Sequence, residues 1–124
     1  MKCTAVVRKI DDVAIVDLTG EFTIEKAPGL IRRTVGDVLD AGARNILMNL
    51  AQVTYMDSAA GVGELVSSYS SAVRRGARLK LLNAGRNIIH VLQLTRLDSV
   101  FEMYIDEDAA IRSFRQFGTH AGTE

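Results

Sequence analysis

Apolar side chains recur along the chain with two different periods, one typical of strands and the other typical of helices. The segment 13–18 is short, rich in β-branched residues and preceded by Asp11 and Asp12, so it predicts a strand that follows a tight turn. A first strand over 4–9 is expected to pair with it. The segment 45–50 carries apolar residues on both faces, which predicts a largely buried strand.

Apolar residues at helical spacing predict helices between these strands. Thr23 is the candidate N-cap of the first helix, Pro28 suits its first turn, and Gly42 follows as its stop. Later helices are expected over 62–75 and around 88–92, and a closing helix begins near Asp106. Further strands are expected at 78–83 and 100–105.

The order of these elements predicts the fold class. Alternating strands and helices from 45 to 105 indicate parallel strands joined by right-handed crossovers, whereas the tight turn at Asp11 and Asp12 indicates an antiparallel first pair. We expect an α/β fold with a mixed, mostly parallel sheet and about four helices, in the order β-β-α-β-α-β-α-β-α. The 124 residues suit one domain, 1–124, with a core over 4–117 and a flexible tail over 118–124.

The balance of acidic and basic residues indicates which kinds of partner the chain can attract by charge. The chain carries 15 basic and 15 acidic residues, so no overall field draws it to nucleic acid or to an anionic membrane, and neither is an expected partner. A local basic patch lacks the interleaved aromatic residues of a nucleic-acid site; it comprises Arg74, Arg75, Arg78 and Lys80. The chain has no apolar run of about 20 residues and no apolar signal region at its start, so we expect a cytoplasmic location.

The segment after the strand 45–50 contains the candidate functional residue. Ser58 lies between this strand and the next helix, at a strand end of the kind where ligands and partners commonly meet such sheets. A phosphate on its hydroxyl would be stabilised by the positive end of the helix dipole and would add about −1.5 to −2 units of charge. The same position also suits an ordinary N-cap serine, which explains Ser58 without any switch.

Other candidate sites have weaker support. Gly61 and Gly63 lack the third glycine of a dinucleotide fingerprint, so they more plainly indicate close packing of the helix start or of a partner against the backbone. A serine hydrolase would need a histidine beside Ser58. The Gly-x-Ser-x-Gly pattern is missing, His90 fits an ordinary helix residue, and His120 falls in the predicted tail.

No metal or cofactor is expected. Cys3 is the single cysteine, and no histidine lies near it in sequence. Asp106, Glu107 and Asp108 fall where the closing helix begins, a place where acidic residues favour the helix dipole.

With these motifs in hand, the chain resembles the STAS domain family, which comprises bacterial anti-sigma factor antagonists and the cytosolic domains of sulphate transporters. The resemblance covers about residues 4–117, and its segments are 53–58 (VTYMDS), 61–65 (GVGEL), 76–83 (GARLKLLN) and 92–101 (LQLTRLDSVF). Because no transmembrane segment is evident, the chain resembles the stand-alone antagonist branch more closely. The resemblance implies a protein that is not an enzyme.

In antagonists of this type, the serine directly after the motif's aspartate is phosphorylated by an anti-sigma factor that is itself an ATP-dependent serine kinase. The resemblance places Ser58 at that position. It implies that the unphosphorylated chain binds the anti-sigma factor and frees a sigma factor, and that the phosphorylated chain lets go until a phosphatase restores it. The implied docking residues are Thr23, Asp57, Ser58, Gly61 and Gly63, and weak self-association is left open.

The chain departs from the family pattern at two places. The family usually has two residues between the motif's aspartate and the glycine, whereas Ser58, Ala59 and Ala60 stand between Asp57 and Gly61 here. We expect the extra alanine to be taken up as a wider turn before the helix. Threonine also stands at position 23, where antagonists often carry an aspartate.

Two alternatives to the switch remain from the sequence. A STAS scaffold subunit of a signalling or transporter assembly would use Ser58 only to cap the helix. A small serine hydrolase would pair Ser58 with His90.

Overall fold

The computed structural model describes residues 2–123, and it describes every side chain in that range except those of residues 59–60 and 116–123. The strands are β1 (Thr4–Ile10), β2 (Val13–Phe22), β3 (Asn45–Met56), β4 (Arg78–Leu82) and β5 (Met103–Tyr104). The helices are α1 (Leu30–Asp40), α2 (Gly63–Arg74), α3 (Arg86–Leu94) and α4 (Glu107–Thr123), and a π-helical turn, Ser58–Val62, precedes α2.

The five strands form one sheet in the order β1-β2-β3-β4-β5. β1 is antiparallel to β2, and every later neighbour is parallel. The α/β class, the mixed and mostly parallel sheet, the helices and the order of elements are therefore confirmed. No helix within residues 2–123 is long and apolar enough to cross a membrane.

Helices cover both faces of the sheet. One apolar cluster joins α1, α2 and α3 to one face and includes Ile46, Met48 and Leu50 of β3. A second cluster joins α4 to the opposite face and includes Leu47 and Phe114. The side chains of β3 thus alternate between two buried layers, as the apolar residues on both sides of this segment predicted.

The last strand is shorter than expected. The sequence predicted a strand over 100–105, but β5 is only Met103–Tyr104. The backbone amide of Val100 donates a hydrogen bond to the carbonyl of Leu97 at 3.0 Å, which closes a turn there. Phe101 is buried as the chain leaves this turn. The first two residues of the predicted strand, Val100 and Phe101, therefore form a turn and a core contact and do not pair in the sheet.

The predicted cap of the first helix is wrong, whereas the predicted start of the closing helix is confirmed. Thr23 does not cap α1, whose N-cap is Gly29 in the left-handed region at φ 82°. The Thr23 hydroxyl instead accepts a hydrogen bond from the amide of Lys26 at 3.1 Å in a local turn. At the closing helix, Asp106 accepts from the amide of Ala109 at 2.9 Å, which confirms the predicted start.

The four basic residues that the sequence groups together, at positions 74, 75, 78 and 80, do not form one exposed patch. Arg75 pairs with Asp40 at 2.9 Å. Lys80 is buried, and its ammonium lies 3.2 Å from a carboxylate oxygen of Glu102. The side chains of the predicted tail, 118–124, and of His120 lie outside the described residues, so the tail stays a prediction.

Candidate functional site

The site is built where β2 and β3 end side by side. Phe22 and Met56 are paired as the last residues of the two parallel strands, and both side chains are buried. The segments that follow the two strands, 23–29 and 57–62, therefore leave the sheet together. The predicted docking residues Thr23, Asp57 and Ser58 are brought to this one edge.

Asp57 holds these two segments together. Its amide donates to the carbonyl of Phe22 at 3.0 Å, and its carboxylate accepts from the amides of Ile24 at 3.0 Å and Gly61 at 2.8 Å. Asp57, and not Ser58, thus holds the start of the π-helical turn, whereas α2 itself has Val62 at its N-cap position and no side-chain cap. The Ser58 side chain is left exposed to solvent.

The extra alanine is taken up in the π-helical turn. The amide of Val62 donates to the carbonyl of Asp57 at 2.9 Å, five residues earlier, so this turn holds one residue more than an α-helical turn. α2 then starts at Gly63 with its buried residues in helical register: Glu64, Leu65, Ser68 and Ala72. The wider turn expected before the helix is present, and the helix face is not rotated away from the core.

The two glycines of the motif have different structural demands. A Cβ on Gly61 would overlap Cγ of Met56 and would lie 3.0 Å from the carbonyl oxygen of Phe22. A Cβ on Gly63 would meet only the carbonyl oxygen of Ser58, at 3.6 Å. Close packing of the backbone therefore explains Gly61, as the sequence suggested, but it does not explain Gly63.

Glu64 is part of the site, and the sequence analysis missed it. Its side chain is 8% exposed, and its carboxylate accepts from the amide of Gly29 at 2.6 Å and from the amide of Arg32 at 3.2 Å. A carboxylate at the positive end of α1 is favoured by the helix dipole. Glu64 thereby joins the first turn of α2 to the start of α1, and the only sequence signal is an acidic residue at the start of a helix.

The edge beside Ser58 is a mixture of apolar and charged groups. Ile24 is 69% exposed. Lys26 and Glu21 form an exposed ion pair at 2.5 Å, which lowers the pKa of the Glu21 carboxyl and raises the pKa of the Lys26 ammonium. The exposed Ile24 is tied to this site through its backbone amide, which donates to Asp57, the residue that precedes the exposed Ser58.

The hydrolase alternative finds no support in the arrangement of His90. This residue is exposed on α3, and among the described residues no hydrogen bond joins its ring to another side chain. Among the described side chains, no hydrogen bond joins the Ser58 hydroxyl to His90, so the nucleophile–base pair that a serine hydrolase needs is not formed in this structure. Among the side chains that the structure describes, no group of three or more potential ligands from His, Cys, Asp and Glu is placed to hold a metal ion.

Comparison with known families decides the classification. The STAS domain model matches residues 4–110. The chain belongs to the STAS domain family. Among solved structures, this STAS domain is similar to a Thermotoga maritima protein assigned as an anti-sigma factor antagonist, with 28% identity and a TM-score of 0.81 over 90% of this chain and 94% of that one.

Two further structures share the fold. An anti-sigma factor antagonist from Mycobacterium paratuberculosis is 24% identical, with a TM-score of 0.79 over 92% of this chain and 95% of that one. The Bacillus cell fate determinant SpoIIAA in its phosphorylated form is 24% identical, with a TM-score of 0.70 over 90% and 99%. At 24% identity, these two structures show that the STAS fold is shared with this chain.

Proposed function

We propose that this STAS domain is an anti-sigma factor antagonist that binds an anti-sigma factor when Ser58 is unmodified and releases it when Ser58 is phosphorylated. The observation that carries the proposal is that Asp57 and Ser58 have different roles in the turn. Asp57 supplies the hydrogen bonds that hold the turn, so the exposed Ser58 hydroxyl is free to accept a phosphate without the loss of a cap.

The physical basis of release is charge at a desolvated contact. The backbone amide of Ile24 donates to Asp57, the residue before Ser58, and in this proposal the partner covers both the exposed Ile24 and Ser58 and excludes water from them. A phosphate there adds about −1.5 to −2 units of charge. A repulsion of about 3 kcal/mol would weaken binding about 100-fold.

The remaining parts of the proposal follow from this switch. The anti-sigma factor is an ATP-dependent serine kinase, a phosphatase restores the binding form, and transcription through a sigma factor is the regulated output in the cytoplasm. Thr23 and Gly63 contribute backbone to the docking surface, whereas the buried Gly61 acts indirectly by allowing the turn that carries Ser58 to pack closely. Asp57 is a positioning residue, because it shapes the loop that carries Thr23 and the turn that carries Ser58.

The test combines phosphate mapping with partner binding. The purified chain is incubated with recombinant serine kinases of the anti-sigma type from the same organism and ATP, and mass spectrometry locates the phosphate. We expect phosphate on Ser58, tight binding by Ser58→Ala, and binding by Ser58→Asp that is weaker by at least about tenfold. Ser67, which is exposed on α2, provides the matched control pair Ser67→Ala and Ser67→Asp.

Two results would contradict the switch. One is phosphate found only at other residues. The other is equal partner binding by Ser58→Ala and Ser58→Asp. A stable large assembly that is insensitive to both substitutions in size-exclusion chromatography would favour the scaffold alternative instead.

A further inference from the structure

The segment that leaves β2, residues 23–29, is held near both of its ends by carboxylates that flank the π-helical turn. Near its start, the amide of Ile24 donates to the carboxylate of Asp57 at 3.0 Å. At its end, the amide of Gly29 donates to the carboxylate of Glu64 at 2.6 Å. Asp57 directly precedes the π-helical turn, and Glu64 lies in the first turn of α2 that follows it. Both acceptors therefore belong to the part of the chain that contains the proposed switch.

The conformation of the 23–29 segment depends on these two contacts. Its internal hydrogen bonds include one short turn, in which the amide of Lys26 donates to the carbonyl of Thr23 at 3.1 Å. Ala27 and Gly29 then adopt the left-handed region, at φ 56° and 82°. An alanine in this region is strained and keeps this conformation only where the surrounding contacts hold it. Loss of the contact at Gly29 should therefore change the path of the segment.

Position 64 requires a carboxylate and not merely a polar side chain. Glu64 is 8% exposed, and its carboxylate accepts from the amide of Gly29 through Oε2 and from the amide of Arg32 through Oε1, at 3.2 Å. A glutamine has nearly the same shape but only one acceptor oxygen, so its NH2 group would face one of these two donors. The carboxylate thus holds the end of the 23–29 segment and the start of α1, and it is too deeply buried to form a binding surface of its own.

We propose that Glu64 is a positioning residue for partner recognition: it holds the 23–29 segment, and with it the exposed Ile24, in the conformation that an anti-sigma factor binds. This inference rests on the proposed function. Asp57 holds the turn that carries Ser58 as well as the segment, whereas the hydrogen bonds of Glu64 go to backbone amides at the start of α1. Loss of the Glu64 carboxylate should therefore disturb docking of the partner and leave the presentation of Ser58 intact.

The substitution that tests this role is Glu64→Gln, because it keeps the size of the side chain and removes an acceptor. We expect a native circular dichroism spectrum and amide hydrogen exchange that is faster at Gly29 and Arg32 by at least about tenfold. Exchange at Gly61 should be unchanged, since its acceptor is Asp57. Unchanged exchange at Gly29 would overturn the proposal, because the contact would then not hold the segment.

Partner binding distinguishes a positioning role from a purely structural one. Glu64→Gln should weaken binding to the anti-sigma factor about five- to tenfold. The control is Ile111→Val, which removes one methyl group from the apolar cluster on the α4 face of the sheet and lowers stability without touching the segment. At a temperature where both variants are fully folded, Ile111→Val should bind like the unaltered chain. Equal binding by the two variants would overturn the proposal and leave Glu64 as a helix cap only.

The kinase reaction on Ser58 gives a second readout, which a loss of stability would not imitate. In Glu64→Gln we expect KM to rise about five- to tenfold and kcat to stay within about twofold of the unaltered chain, because docking is weakened while Ser58 is still presented. A lower kcat with an unchanged KM would contradict the role assigned to Glu64.

The outcomes separate the two proposals. Normal binding by Glu64→Gln together with strong effects of the Ser58 variants would overturn the positioning role and leave the switch in place. Weakened binding by Glu64→Gln together with equal binding by Ser58→Ala and Ser58→Asp would contradict the switch and leave the positioning role in place. Absence of binding between the unaltered chain and an anti-sigma factor would overturn the proposed function, and this inference with it.

Discussion

The carboxylate of Asp57 accepts a hydrogen bond from the backbone amide of Ile24 at 3.0 Å, although 33 residues separate them in sequence. The same carboxylate accepts from the amide of Gly61, within the π-helical turn. One side chain therefore fixes both the segment that presents the exposed isoleucine and the turn that presents Ser58. We therefore expect the two segments to be coupled through Asp57.

Removal of the Asp57 carboxylate should loosen both segments at once. We expect Asp57→Ala to lower the free energy of unfolding by about 1–2 kcal/mol, because two backbone donors lose a charged acceptor. Asp57→Asn keeps one carbonyl acceptor and should cost less. Urea unfolding gives the stability, and amide hydrogen exchange should accelerate at both Ile24 and Gly61 in Asp57→Ala. Exchange that accelerates at only one of these amides would contradict the coupling.

The two motif glycines should respond differently to the same methyl group. Gly61→Ala forces a Cβ against Met56 and the carbonyl of Phe22, so we expect a loss of about 1–3 kcal/mol. Gly63→Ala is the matched control, since its Cβ would make only an ordinary contact at the start of α2. It should leave stability unchanged or raise it by up to about 1 kcal/mol, as alanine favours helix. Chemical denaturation of both variants decides this, and equal losses would contradict the packing explanation of Gly61.

The π-helical turn should tolerate the deletion of one residue. We expect deletion of Ala60 to leave the fold and the core face of α2 intact, because the turn takes up one residue before the helix begins. Circular dichroism and thermal unfolding should show native helix content. The rate of phosphorylation of Ser58 should change, since the deletion alters the turn that presents it. Deletion of Ala72, a buried residue within α2, is the control that should disrupt packing. An Ala60 deletion that unfolds the domain would contradict this account of the turn.

The architecture was predictable because burial repeats with the periods of strands and helices. The alternation in β3 and the helical spacing from Leu65 to Tyr69 follow directly from which faces pack against the core. The ends of elements were less predictable, because they depend on tertiary partners. β2 and β3 continue to Phe22 and Met56 by pairing with each other through two register shifts.

The site was predictable in position but not in its hydrogen bonds. The sequence places Ser58 and Asp57 at the carboxyl end of a strand, yet a capping serine and a capping aspartate cannot be distinguished without the turn geometry. The contact from Glu64 to the amide of Gly29 spans 35 residues, and no local pattern encodes it. Thr23 failed as a helix cap for the same reason, since the start of α1 is satisfied by a residue from another helix.

Acid should weaken the domain through Asp17. This carboxylate on β2 lies 2.6 Å from the guanidinium of Arg8 and accepts from the side-chain amide of Asn49 at 2.8 Å. Its partial burial alone would raise its pKa, but the hydrogen bonds from Arg8 and Asn49 and the charge of Arg8 outweigh burial and lower the pKa. Arg8 also bonds Glu107, so the cluster joins β1 and β2 to the start of α4.

A carboxyl group whose pKa is lower in the folded chain than in the unfolded chain stabilises the fold at any pH where it is ionised in both the folded and the unfolded chain. This contribution should be fully present above about pH 4 and should disappear as the pH falls through the folded-state pKa of Asp17. Asp17→Asn should therefore reduce stability by about 0.5–1 kcal/mol at pH 7, since the pair is partly solvated, and should show a shallower loss below about pH 4. Urea unfolding across this pH range measures both effects. An Asp17→Asn curve parallel to that of the unaltered chain would contradict the role of Asp17.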